Sequence, residues 1–270
     1  MSRQRRKLRG FMGRILTHIT GEGRLHSRVS RVFMKAMTPE IEFLDFIRGA
    51  RTARGAVVII DVFRACSTCC YAFARGVARI IPVGAVKEAL ELKHAHPEFI
   101  VLGERYGRRL PRFDGGNSPT ELERLYLHDR TVVHTTHSGT QGLVNARADV
   151  VITGSFVNAS AVCRYLAALR PERISLVRMG VETVRRSEAD DLCAELIAAR
   201  LRGETFDEAS IRARLRESSE AQKFFNPKAD WAPERDFELC TALDRFDFVL
   251  RMLAGRDGRR ELIKIPHPGR

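Results

Sequence analysis

No apolar run in the 270 residues approaches the roughly 18 that a membrane-spanning helix requires, so no transmembrane segment is expected. The GxxxxGK[ST] loop of nucleotide-binding proteins is absent, which removes support for nucleoside triphosphate binding. None of the eight histidines forms an HExxH metal pair, and no Asp-x-Asp of the aspartyl-phosphate phosphatases occurs. The six cysteines (Cys66, Cys69, Cys70, Cys163, Cys193, Cys240) lie in apolar stretches without the paired CxxC spacing of a zinc site, and no signal peptide precedes them. A reducing, cytoplasmic setting is expected.

Acidic residues are also scarce: 33 Asp and Glu stand against 46 Lys and Arg, giving a formal charge of +13. Such a balance ordinarily points to nucleic acid or anionic membrane, but the excess sits at the ends. Residues 1–33 carry nine basic residues against Glu22, residues 254–270 carry five against two, and only +2 remains for everything between. The core domain is therefore not expected to bind nucleic acid. The first segment reads as a disordered basic tail, as a surface helix built on Leu8, Phe11, Ile15 and Ile19, or as sequence upstream of a start at Met34 or Met37. The expected organisation is a basic extension over 1–33, one domain over 34–253 and a loose basic tail over 254–270. With 44% hydrophobic residues, a chain of this length can bury a core without disulfides or metal.

The core pattern alternates strand and helix. AVVII (56–60) is a β-branched strand leading through DVFRACST into a helical stretch, followed by a strand over 78–83, a helix over 86–96 and a strand over 99–104. After a Gly/Pro-rich loop come a helix over 120–127, a strand over 131–136, a helix over 141–146 and a strand over 149–154. Further helices are expected over 159–169, 189–201 and 205–217, and a strand over 173–180. The alternation predicts an α/β fold of three layers, α/β/α, with a largely parallel or mixed sheet. ARGVARIIPVGAVKEAL and VNARADVVITGSFVNASAV repeat one element order at an offset of seventy residues, which raises an internal duplication of a strand-loop-helix-strand unit.

Open α/β sheets hold ligands at the carboxyl ends of their strands. Asp61 stands there, with Arg64, Ser67 and Thr68 at the mouth of the next helix, an outline suited to phosphate and a divalent cation. Capping by Asp61 and Ser67 is the alternative. The loop Thr135, Thr136, His137, Ser138, Gly139, Thr140 repeats the logic with more hydroxyls. Glu104 and Arg105 end the third strand, and Asp114 and Asn117 follow in the loop beyond, so that further carboxylates are candidates for the same edge. Cys69 and Arg75 have the C-x5-R spacing of cysteine phosphatases, but the intervening residues are apolar and helical where that chemistry needs free N–H groups, and the reading is rejected.

In order, the segments VVIIDVFRACST, ARIIPVGAVKEAL, GERYGRRLPRFDGGNSP, TTHSGTQGL, VITGSFVNASAV, DDLCAELI and LCTALDRFDFV resemble the 2-phosphosulfolactate phosphatase family across about residues 34 to 252. The resemblance implies an α/β/α fold and Mg²⁺-dependent removal of phosphate from 2-phospho-3-sulfolactate on the route to coenzyme M. On the residues that match the family's motifs, catalytic roles are expected of Asp61, Arg64, Glu104 and Arg105, with the metal held by Asp61 and helped by Glu104 or Asp114. Substrate binding is expected of Ser67, Thr68, Asn117, Ser118, Thr135, Thr136, Ser138, Gly139, Thr140 and Asn158, with Ser160 and Asp190 matching further motif positions. The partner implied is a small-molecule phosphate ester, and a homodimer is left open. Three departures from the family pattern occur: Arg112, the pair His137 and Ser138, and Ala189. Arg105 or Arg112 is expected to meet the substrate's second anionic group. The alternative readings are a phosphatase of the same fold acting on a different phosphorylated hydroxy acid, and a non-catalytic protein that binds a phosphorylated metabolite.

Overall fold

A computed structural model of the chain describes residues 39–255 and 257–266; the basic extension and both alternative starts lie outside the described residues. Ten strands form one mixed sheet: β1 (Glu40–Asp45), β2 (Ala56–Ile60), β3 (Arg79–Pro82), β4 (Ile100–Arg105), β5 (Arg108–Arg109), β6 (Thr131–Thr135), β7 (Val150–Gly154), β8 (Arg173–Arg178), β9 (Val249–Ala254) and β10 (Arg260–Ile265). Their spatial order is β1-β8-β2-β7-β9-β10-β3-β6-β4-β5. The expected α/β class is observed.

Every residue of β2 is buried, as a parallel strand covered on both faces requires. Its side chains alternate. Val58 and Ile60 pack with helices α5 (Ala159–Leu169) and α6 (Glu188–Arg202), while Val57 and Ile59 pack with α1 (Phe46–Thr52), α2 (Ala65–Ala74) and α4 (Gly139–Asn145). A third apolar group joins α3 (Val86–Ala95) to β3, β4 and β6. Helices therefore cover both faces, giving three layers.

The inner eight strands read the same from either end once β2 is exchanged with β6, β3 with β7, β4 with β8 and β9 with β10. The second member of each of the first three pairs starts roughly seventy residues downstream. The structure thus contains a repeated β-α-β-α-β unit, with the first strand of each unit inserted between the other two strands of its counterpart: β2 pairs with β7 and β8, and β6 with β3 and β4. Within each half the pairing is parallel, and the antiparallel hairpin β9–β10 joins the halves.

That hairpin corrects the expectation of a loose tail after residue 253. β10 pairs with β9 over six positions and with β3 through Leu262 opposite Ile80, so it lies inside the sheet with Leu262 fully buried. Its single inward leucine is framed by charged residues, which makes the segment read as polar although its backbone is needed to join the halves. Also unforeseen were β1 and α1. The helix expected over 120–127 shrinks to a 3₁₀ turn, Glu121–Arg124, and the one over 205–217 begins only at α7 (Ile211–Glu217), because residues before it form a turn in which Asp207 accepts the Ser210 N–H at 3.3 Å.

Between α6 and β9 the chain makes an excursion through α7, the 3₁₀ turn Gln222–Phe225 and α8 (Glu234–Cys240). Asp236 on α8 pins it. One carboxylate oxygen accepts Arg64 Nη1 at 2.6 Å, and the other accepts Ser118 Oγ at 3.0 Å and the Thr120 N–H at 2.9 Å. Both members of the ion pair are buried, at 3% and 0% exposure.

A chain ended at residue 254 loses an interior strand and is expected to show no cooperative thermal transition by circular dichroism; full retention of the transition would contradict the placement of β10. Asp236→Ala leaves Arg64 buried without its counter-charge, and breaking such a pair costs about 3–5 kcal/mol. The urea midpoint should fall accordingly, with the slope unchanged.

Candidate active site

The carboxyl ends of β2, β4, β6 and β8 open on one cavity of about 160 Å³. Asp61 follows β2, Glu104 lies in β4, His137 and Ser138 follow β6, and Gly180 to Glu182 follow β8; Arg64, Tyr106, Asn117, Lys223 and Trp231 complete much of the lining. Four strands separate β2 from β6 in the sheet, yet the loops after them touch. A Cβ at Gly139 would lie 2.6 Å from that of Ala65 and 2.7 Å from Asp61 Oδ2, so only glycine permits the contact.

These loops spend their backbone donors on carboxylates. Asp61 Oδ1 accepts the Ala65 N–H at 3.1 Å, and the Gly139 N–H also bonds this carboxylate. Glu104 accepts the His137 N–H at 2.8 Å on one oxygen and the Gly107 N–H at 2.7 Å on the other. Both side chains are buried, Asp61 at 5% exposure and Glu104 at 7%. Burial, then the nearby Glu104 charge, raises the Asp61 carboxyl from its ordinary 3.8 to about 6 against the opposing hydrogen bonds and Lys223. Asp190 braces the arrangement from α6 by accepting the Val62 and Gly180 N–H groups, both at 2.8 Å. Its own carboxyl is raised well above the ordinary range, by burial first and the Asp61 charge second.

At the two helix starts several backbone N–H groups already have partners within the protein. In α2 the Cys66 N–H bonds the Asp61 carbonyl. Before α4, Thr136 and Thr140 cap each other: each N–H donates to the other's Oγ1, at 2.8 and 3.1 Å. Ser67 donates to the Val62 carbonyl and meets Ser155 Oγ at 2.6 Å. Ser118 belongs to the Asp236 cluster, and Asn158 accepts the Ser155 N–H. Ser160 serves Asp244. These residues hold the loops. Thr135 Oγ1 receives Arg105, and Thr68 is buried outside the cavity lining.

Three expected contributors lie elsewhere. Arg105 bonds the Glu104 and Gly84 carbonyls and Thr135 Oγ1 and does not line the cavity. Asp114 pairs with Lys93 at 3.0 Å and accepts the Val101 N–H, beside a different surface depression, so its proposed metal role is not supported by position. Arg112 is exposed, with a left-handed φ of 68° in the loop, outside the lining. The alternation of β4 and the turn after it send these side chains away from Glu104. Arg64 does reach the cavity, but Nη1 donates to Asp236 and the Trp231 carbonyl and Nη2 to the Gly107 carbonyl.

Left facing the cavity are polar atoms without partners. Asn117 Oδ1 and His137 Nδ1 are buried and make no hydrogen bond to a described residue. Ser138, the residue before α4, uses no side-chain cap bond. Lys223 was not singled out in the sequence because it lies in a polar stretch with no motif around it; only the tertiary position of the excursion brings it here. Cys69 is buried in α2 with Sγ 3.4 Å from His134 Nδ1, and burial pushes its thiol up, consistent with rejecting a cysteine phosphatase.

Among the described residues no cluster of three or more His, Cys, Asp or Glu side chains forms a metal cage. Two carboxylates and an unpartnered amide oxygen around one cavity nonetheless fit Mg²⁺, which takes one or two carboxylates and fills its remaining positions with water and substrate oxygens. The donors would be Asp61, Glu104 and Asn117.

A family profile described as 2-phosphosulpholactate phosphatase matches residues 44–254. A protein of Thermotoga maritima named "Probable 2-phosphosulfolactate phosphatase" is 36% identical over 207 residues, covering 73% of this chain and 89% of the relative. Its namesake in Thermoplasma acidophilum is 30% identical over 199 residues, covering 74% and 86%, and that of Clostridium perfringens strain SM101 is 31% identical over 227 residues, covering 78% and 91%. With the fold, the ordered motifs and a family match across most of its length, the chain belongs to the 2-phosphosulfolactate phosphatase family.

Proposed function

We propose that the protein is a Mg²⁺-dependent phosphatase acting on a small phosphate monoester that carries a second anionic group, with 2-phospho-3-sulfolactate, the precursor of sulfolactate on the route to coenzyme M, as first candidate. The observation that carries the reading is the pair Asp61 and Glu104, two buried carboxylates sharing one small cavity with the unpartnered Asn117 Oδ1. Two like charges in such a place raise each other's cost of ionisation unless a cation joins them.

Asp61, Glu104 and Asn117 would hold the metal. Bound there, Mg²⁺ supplies charge stabilisation at a phosphoryl oxygen and lowers the pKa of bound water. The chain's own part is to fix the two carboxylates through four backbone N–H groups, so that little reorganisation accompanies reaction. Arg64, held by three acceptors, keeps a positive charge at the cavity wall without moving. Ser138 and His137 both line the cavity with uncommitted side-chain atoms, but no hydrogen bond joins the hydroxyl to the imidazole as activation of a serine nucleophile would require, so direct attack by water is the simpler course. The cavity volume suits a phosphate group with a short carbon body.

Phosphate release from phosphosulfolactate, phospholactate and phosphoglycerate, measured with and without Mg²⁺, tests the reading. Metal-dependent release is expected, and Asp61→Asn or Glu104→Gln should lower kcat/KM at least ~100-fold, the scale of losing one preorganised charge at a reacting group. No release from any of the esters, or full activity in both variants, would refute it.

The metal should also show in stability. Since Asp61 titrates in the folded chain near 6, above its unfolded value of 3.8, the metal-free folded state binds more protons across that window and loses stability as pH rises through it, by about 3 kcal/mol at most. Mg²⁺ competes with that proton. The Mg²⁺-induced rise in Tm is expected to be full above pH 7 and to vanish below pH 5; a rise independent of pH would remove Asp61 from the metal site.

A further inference from the structure

The cavity has two cations in its lining, and they differ in what holds them. Arg64 is committed: Asp236 neutralises it at 2.6 Å and two carbonyls occupy further donors. Lys223 makes no hydrogen bond or ion pair within 4 Å to any described residue. Its Nζ lies 5.0 Å from the Phe224 ring centroid, and it faces the charges of Arg64, Glu220, Asp61 and Glu104 from beyond contact distance. Glu220 offsets part of that charge from a distance but does not pair with it: its Oε1 accepts the Ala189 N–H at 2.8 Å and stays with α6. An ammonium half-buried and uncommitted is costly, and burial together with Arg64 lowers its pKa. Such a group is commonly kept for a ligand of opposite charge.

We infer that Lys223 binds the substrate's phosphoryl group, donating from Nζ to a non-bridging phosphate oxygen. The inference rests on the phosphatase reading for its substrate, and on the cavity for its geometry. A cation near both Asp61 and Glu104 stands where phosphate would sit against those carboxylates and their metal, whereas the two arginines expected to serve as anion hooks, Arg105 and Arg112, are outside the lining. The ammonium is also the right cation for this place. Lysine acts as a point charge with three rotatable donors and follows phosphate as its geometry changes, while the fixed fork of Arg64 is already fully oriented by its scaffold. The alternative for Lys223 is a packing role, its stem covering Phe224.

Lys223→Met and Lys223→Arg separate these. Isothermal titration with inorganic phosphate in the presence of Mg²⁺, at fixed ionic strength, reads binding without requiring turnover. Lys223→Met should weaken phosphate at least ~10-fold, the order of one charge-assisted hydrogen bond, and lower kcat/KM more than that, while its Tm stays close to wild type because methionine keeps the apolar stem and no hydrogen bond or ion pair is lost. Lys223→Arg should recover part of the phosphate affinity. Unchanged phosphate affinity in Lys223→Met would overturn the inference, as would a loss of affinity matched by a lower Tm and absent recovery in Lys223→Arg, which is the packing outcome. If wild-type protein releases phosphate from no ester yet loses phosphate affinity on Lys223→Met, the phosphatase reading fails and the Lys223 assignment stands.

Discussion

Two carboxylates buried within reach of each other's field, Asp61 and Glu104, set the terms for the rest of the site. Ionised carboxylates prefer water, and isolating them from it is expensive unless hydrogen bonds and counter-charges replace the lost hydration. The loops after β2, β4 and β6 do this with backbone N–H groups from Ala65, Gly107, His137 and Gly139. The replacement is incomplete, for Asp61 still rises to about 6. A site whose ligands remain partly uncompensated is one in which a divalent cation has most to gain.

The same loops explain why glycine and threonine are where they are. Gly139 lets the Asp61 carboxylate approach the start of α4, and Gly107, at a left-handed φ of 79°, lies against the Trp231 ring, where a Cβ would come within 2.3 Å. Thr136 and Thr140 satisfy each other, which frees the neighbouring His137 N–H for Glu104. The hydroxyl-rich loop is thus a device for presenting acids. Its chemistry toward phosphate comes from side chains that the loops leave unpaired and from Lys223.

Much of this architecture could be read in the sequence wherever strands are fully buried and flanked by turn chemistry: AVVII, DVVITG and RISLVR fall within a residue or two of their expected bounds. Position at a strand end also located Asp61 and Glu104 on one cavity. What could not be read was direction. Arg105 and Asp114 are sequence neighbours of site residues, but β-strand alternation and a turn point them at Gly84 and Lys93. Equally hidden were β10, whose one fully buried side chain is Leu262, and Lys223, which is far from every motif and arrives through an excursion anchored by Asp236 at a distance of 172 residues from Arg64.

The repeated unit adds a last constraint. Asp61 and Glu104 both belong to the first unit, and the equivalent places in the second hold Thr136 and the buried Val177, so duplication did not produce two acid pairs. Because the units exchange their first strands, β2 stands among β7 and β8 while β4 stands beside β6. Two acids of one unit are thereby carried to opposite halves of the sheet, yet both line the one cavity. The hairpin β9–β10 joins those halves in the sheet, and the Asp236 cluster ties the excursion to the loops on the cavity side. Integrity of the carboxylate pair is therefore a property of the whole sheet, and the carboxyl-terminal strand far from the cavity is as necessary to it as the residues that line it.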